Sequence, residues 1–77
     1  MKTTKYFEFR RQQADRIGIL DEWIELVLSN PEAKEIQQDG RIKFWRKIPE
    51  ANNKYLRVIV LDDGETVHNA FFDRDFK

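Results

Sequence analysis

Residues 55–72 read Y-L-R-V-I-V-L-D-D-G-E-T-V-H-N-A-F-F. Side chains of contrasting character alternate on both sides of Asp63-Gly64. That dipeptide closes tight hairpins, because glycine tolerates the positive φ the turn requires. The segment is expected to form two antiparallel strands, residues 55–61 and 66–72. The turn then sets the pairing. Val60 should face Val67, Val58 should face Asn69 and Leu56 should face Phe71 on one side of the sheet. Ile59 should face His68, Arg57 should face Ala70 and Tyr55 should face Phe72 on the other. A lone hairpin is marginal in water, so it needs a further strand and a helix against its apolar side.

The rest of the chain offers both. Leu20, Trp23, Ile24, Val27 and Leu28 recur at helical spacing and form one apolar stripe over residues 20–29. Asp21 and Glu22 suit the positive end of that helix, and Asn30-Pro31 stops it. Pro31 is expected to open a short turn through Ile36. Asp39-Gly40 is a second turn signal, and residues 41–48 follow as a strand. Ile42, Phe44 and Ile48 take one side of it; Lys43, Trp45 and Lys47 take the other. Residues 49–54 read as a polar loop. At the start, Phe7 and Phe9 alternate with Tyr6 and Glu8, which predicts a first strand over residues 5–10. Residues 10–16 are polar and predict a turn or short helix. The expected fold is α+β: a three- to four-stranded antiparallel sheet with one main helix packed on one face. The expected core joins Trp23, Ile24, Val27, Phe44, Leu56, Val58, Val60 and Phe71.

Seventy-seven residues suffice for a single domain, residues 1–77. A chain this short buries a modest share of its surface, and without cysteine it has no disulfide or thiolate metal site to help. A homodimer would add buried area. Fourteen basic and fourteen acidic residues balance to zero net charge, which argues against a histone-like nucleic-acid binder but leaves room for a local basic patch. No apolar run is long enough for a membrane span, and charges occupy the place where a signal peptide is apolar. A cytoplasmic protein is expected, with no membrane partner.

In the predicted register, Lys43, Trp45, Tyr55, Arg57, Ile59 and His68 share the face away from the helix. Cations bind phosphate, aromatic rings stack on bases, and histidine moves a proton near neutral pH. His68 is the only histidine. The catalytic candidates are His68, Arg57 and Arg74, and the RNA-binding candidates are Arg41, Lys43, Trp45 and Tyr55. Nearby cations would depress the His68 pKa; a carboxylate partner such as Asp73 or Asp75 would raise it. The alternative is the ordinary wet face of an antiparallel sheet, with Trp45, Ile59 and Phe72 covered by a second copy or another protein. Asp62, Asp63 and Glu65 around Gly64 match the usual composition of a turn, so neither a metal nor another cofactor is expected. Arg10, Arg11 and Arg16 form a second basic cluster, suited to a nucleic-acid backbone or to acidic neighbours.

The layout also resembles a known group. A short first element is followed by R-x-x-x-x-x-R-x-x-I (Arg10, Arg16, Ile19), a helix ending L-x-N-P (Leu28, Asn30, Pro31) and a three-strand meander. This is similar to the small RelE/BrnT-type toxin proteins and their short relatives. The resemblance implies one or two helices on a small antiparallel sheet and metal-independent cleavage of messenger RNA from the exposed sheet face. It also implies neutralisation by a cognate antitoxin-like protein. It would make Arg57 and Arg74 phosphate-site cations and His68 the proton-transfer residue. Such toxins are usually strongly basic with an Arg/Lys-rich C-terminal run; this chain is neutral and has Asp73-Arg74-Asp75-Phe76-Lys77 there.

Overall fold

A computed structural model describes residues 1–76. Two helices, α1 (Lys5–Arg10) and α2 (Asp21–Ser29), precede four strands: β1 (Ala33–Ile36), β2 (Ile42–Ile48), β3 (Lys54–Val60) and β4 (Val67–Phe72). A 3-10 turn, Pro49–Ala51, joins β2 to β3. The strands form one antiparallel sheet in the order β1-β2-β3-β4. Both helices lie on one face, α2 over β2 and β3 and α1 over β4. The expected α+β architecture with one main helix is the observed one. Among the described residues, no helix is long and apolar enough to cross a membrane.

The core follows from the two periodicities. Ile24 and Val27 of α2 meet Ile48, Leu56, Val58, Val60 and Val67 of the sheet, all fully buried. Each such side chain contributes about 1.5–3 kcal/mol by leaving water. Trp23, Leu28 and Phe44 pack at the margin. The register Ile42↔Val60, Phe44↔Val58 turns the expected side of β2 inward. Arg46, also on that side, reaches the C-terminal end of α2. It donates to the Asn30 carbonyl at 2.9 Å, where a cation suits the helix dipole.

Three expectations are corrected. Residues 5–10 form a helix, not a strand. Thr4 caps it by accepting from the Phe7 amide at 3.0 Å. Lys2 and Thr4 already pair with the β4 edge at Val67, through Val67 N–H to Lys2 O at 2.9 Å and Thr4 N–H to Val67 O at 3.0 Å. The chain leaves the sheet there, and the buried Phe7 anchors α1 while Phe9 stays outside. Second, residues 33–36 are an edge strand rather than a turn, paired Ala33↔Trp45 through Ile36↔Ile42. Its exposed Lys34 and Glu35 are the kind of charge that discourages edge-to-edge association. Gly40, at φ 91°, makes the turn into β2.

The third correction matters most for the site. Leu61 and Thr66 close the last hairpin, and Val60 faces Val67 as expected. Asp63 fixes the turn by accepting from the Glu65 and Thr66 amides, each at 2.9 Å, and from the Thr66 hydroxyl; these bonds hold its carboxyl down to about 2. Beyond Val67 the register shifts by one residue, because His68 is the extra residue of a β-bulge. Ile59 therefore faces Asn69, Val58 faces Ala70, Arg57 faces Phe71 and Leu56 faces Phe72. Phe71 leaves the expected core for the opposite face. Phe72 takes the inner side, meeting Trp23 edge-on with ring centres 6.1 Å apart.

Candidate functional site

Strand pairing puts Lys43, Trp45, Lys47, Tyr55, Arg57, Ile59 and Phe71 on the face away from the helices. That face is already filled. The Arg57 guanidinium lies 5.3 Å from the centre of the Trp45 ring and 5.0 Å from that of Phe71. Arg16 reaches the β4 edge, donating to Asn69 Oδ1 at 2.7 Å and the Ala70 carbonyl at 3.3 Å, and lies 4.9 Å from the Phe71 centroid. Phe76 stacks on Trp45 at 4.9 Å and 15° and meets Tyr55 at 4.8 Å. Arg16, Phe71, Arg57, Trp45, Phe76 and Tyr55 thus form one continuous series of cations and rings. Each cation–ring contact is worth about 0.5–2 kcal/mol, depending on desolvation.

Asp73 is the fixed point of this series. One oxygen, Oδ2, accepts from Trp45 Nε1 at 3.0 Å and from Arg57 Nε and Nη2 at 3.0 and 2.5 Å. The Asp73 amide donates to the Tyr55 carbonyl at 2.9 Å, continuing the β3–β4 pairing. The Asp73 side chain is 8% exposed. That burial pushes the carboxyl pKa up. Hydrogen bonds from Trp45 and Arg57, the Asp75 amide and the Arg57 charge outweigh it and hold the group below its usual value. Arg57 is consequently neutralised within the chain, and Trp45 is 7% exposed.

His68 stands elsewhere. The bulge turns its imidazole to the start of α1, where Nδ1 is 3.1 Å from Thr4 Oγ1 and the ring stacks on Tyr6 at 4.9 Å. Its pKa lies below the usual 6.5, first through burial and then through the Arg41 charge, against a smaller opposing effect of Asp39. The depression agrees in direction with a cationic setting, but the cation is Arg41 and not Arg57. Arg74 lies two residues beyond the other end of β4, which closes at Phe72. The structure therefore separates His68 from both arginines expected to serve with it. An NMR titration of this single imidazole should give a midpoint below 6.5. Because the unfolded chain binds that proton more readily, His68 should cost stability as pH falls from 6.5 through the folded value. A midpoint above 6.5 would contradict the geometry.

The other expected residues are engaged within the chain. Lys43 pairs with Glu35 at 3.3 Å, and Arg41 with Asp39 at 3.8 Å, beside His68. Tyr55 is half-buried under Phe76 with Lys47 5.8 Å from its ring centre. In the basic cluster, Arg10 meets Asp15 and Gln13, and Arg11 meets Asp21 and Glu8.

Among the open hollows, one that the sequence did not single out combines cations with aromatic rings. Asn52 and Asn53, at φ 57° and 59°, bend the chain sharply enough to present Lys54 at the head of β3. Lys54 faces Arg74 across two adjoining hollows of about 450 and 290 Å³. The larger is walled by Arg16, Phe71 and Phe72, with Asp15 as its one acid. The smaller is walled by Tyr55 and Phe76, with Asp73, already bonded to Arg57 and Trp45, at its margin. Arg16 is balanced by Asp15 at 3.3 Å, whereas among the described residues Lys54 and Arg74 have no carboxylate within ion-pair distance. Arg74 and Tyr55 were expected site residues, and Arg16 belonged to the second basic cluster; Lys54 and Phe76 were not expected. The available signals were an N-N-K corner and a lone phenylalanine in a polar segment. No protein-family model, no curated protein and no solved structure matches this chain.

Proposed function

We propose that this chain binds single-stranded RNA through the Lys54–Arg74 cleft and does not cleave it. The observation that carries this reading is that Lys54 and Arg74, which have no ion-pair partner among the described residues, line one cleft together with aromatic rings. Phosphate is drawn to such cations, and bases to the rings beside them. A proton-transfer role for His68 would need it within hydrogen-bond reach of the phosphate, and it stands at the opposite end of β4 from this cleft, bonded to Thr4. The toxin-type nuclease suggested by the layout is therefore reduced here to its binding component, in a cytoplasmic setting.

The test is anisotropy of a fluorescein-labelled single-stranded RNA over a salt series. Two phosphate contacts should give a log–log salt slope of about −1.4. The double substitution Lys54→Ala/Arg74→Ala should abolish most of that slope and weaken binding by roughly tenfold or more. His68→Ala should bind as the parent does. Equal affinity in parent and double variant would overturn the reading, as would RNA cleavage that His68→Ala removes.

Self-association through Trp45, Ile59 and Phe72 draws less support. Phe76 covers Trp45, and Phe72 turns to the helical side. The most exposed apolar side chains lie elsewhere, Phe9 at 64%, Ile17 at 70% and Ile36 of the edge strand at 66%. Light scattering over a concentration series would restore the self-association reading if it showed a dimer that Ile59→Lys disrupts.

A further inference from the structure

We infer that the space between Trp45 and Tyr55 is a binding slot for a single nucleobase, which Phe76 closes in the free protein. The inference rests on the RNA-binding reading and names where a base would sit relative to Lys54 and Arg74.

Phe76 occupies the slot much as a base would. Its ring is nearly parallel to the Trp45 indole, 15° off at 4.9 Å, and Tyr55 confines it at 4.8 Å. Offset stacking of this kind depends on planarity and a π-face, which every base has. The floor of the slot is rigid. Trp45 is pinned by its indole bond to Asp73 and lies beside Arg57, on two paired strands. The cover is less firmly tied. Asp73 holds the segment to β3, and among the described residues its last hydrogen bond runs from the Asp75 amide to Asp73 Oδ1 at 3.0 Å. Among the described residues, Phe76 itself is held by ring contacts alone. Swinging it aside breaks none of the Asp73 bonds. It leaves a slot between Trp45 and Tyr55, and because Tyr55 and Phe76 also line the hollow that Lys54 and Arg74 share, a base in the slot lies beside the cations that would take its phosphate.

Closure by Phe76 weakens RNA binding by the fraction of time the slot is shut. Phe76→Ala should therefore tighten binding of a short labelled single-stranded RNA by about tenfold, the effect expected if about one parent molecule in ten is open. Phe76→Leu, which keeps apolar bulk without a ring, should fall between. An abasic strand of equal length should bind parent and Phe76→Ala alike. Circular dichroism of each variant verifies that the sheet is intact. If Phe76→Ala binds the base-bearing strand no more tightly than the parent, the slot is refuted while the RNA reading stands. Weaker binding by Phe76→Ala would equally refute it, by making Phe76 a contact residue. If neither protein binds either strand, both the slot and the reading beneath it fail.

Discussion

Replacing Leu56 by alanine should lower stability by about 3 kcal/mol. For a domain of this size that moves the melting midpoint down by roughly 15–20 °C. Leu56 is fully buried in β3, between Arg46 of β2 and Phe72 of β4, in the layer that α2 covers. The loss combines the missing transfer energy with a cavity that close-packed neighbours fill only in part. With no disulfide to support the chain, such a loss is a large share of its total stability. A calorimetric scan measures it. A Leu56→Ala protein that melts with the parent would mean that the helical layer does not pack on this side of β3.

Asp73→Ala should cost about 2–3 kcal/mol, because it strands a partly buried guanidinium and an indole N–H. The same residue makes the fold acid-sensitive. The folded pKa of Asp73 lies below the ordinary 3.8, so its contribution is fully present above 3.8 and is lost as pH falls through the lower folded value. Asp63, held down to about 2, acts in the same window. The difference between parent and variant therefore isolates Asp73. Urea unfolding at neutral and acidic pH should show a smaller acid loss in Asp73→Ala. Equal acid losses would remove Asp73 from its place at the centre of the open face.

How much of this could be read in advance depended on how many residues voted for each element. Five apolar residues at helical spacing made α2 legible, and long alternating runs made β2, β3 and β4 legible, including the inward side of β2. The six residues of α1 alternate like a strand, and their helical state depends on Thr4 and on an edge already taken by Lys2 and Thr4. β1 has four residues, two of them charged, and forms only because β2 is there to pair with. The bulge at His68 carries no compositional mark, yet it exchanges the faces of Phe71 and Phe72. For the site, alternation correctly put Lys43, Trp45, Tyr55 and Arg57 on one face. It could not reveal that Asp73 and Phe76 fold back to neutralise and cover them. That depends on contacts across 16 and more residues of separation, between the end of β4 and the two central strands.

The most direct test of the account is amide chemical-shift mapping during titration with a short single-stranded RNA. The account predicts shifts confined to residues 15–16, 53–55 and 71–76, with the Trp45 indole N–H moving as Phe76 is displaced, while Arg41, Lys43 and His68 stay still. Shifts centred on Arg41 and His68, or none at all, would contradict it.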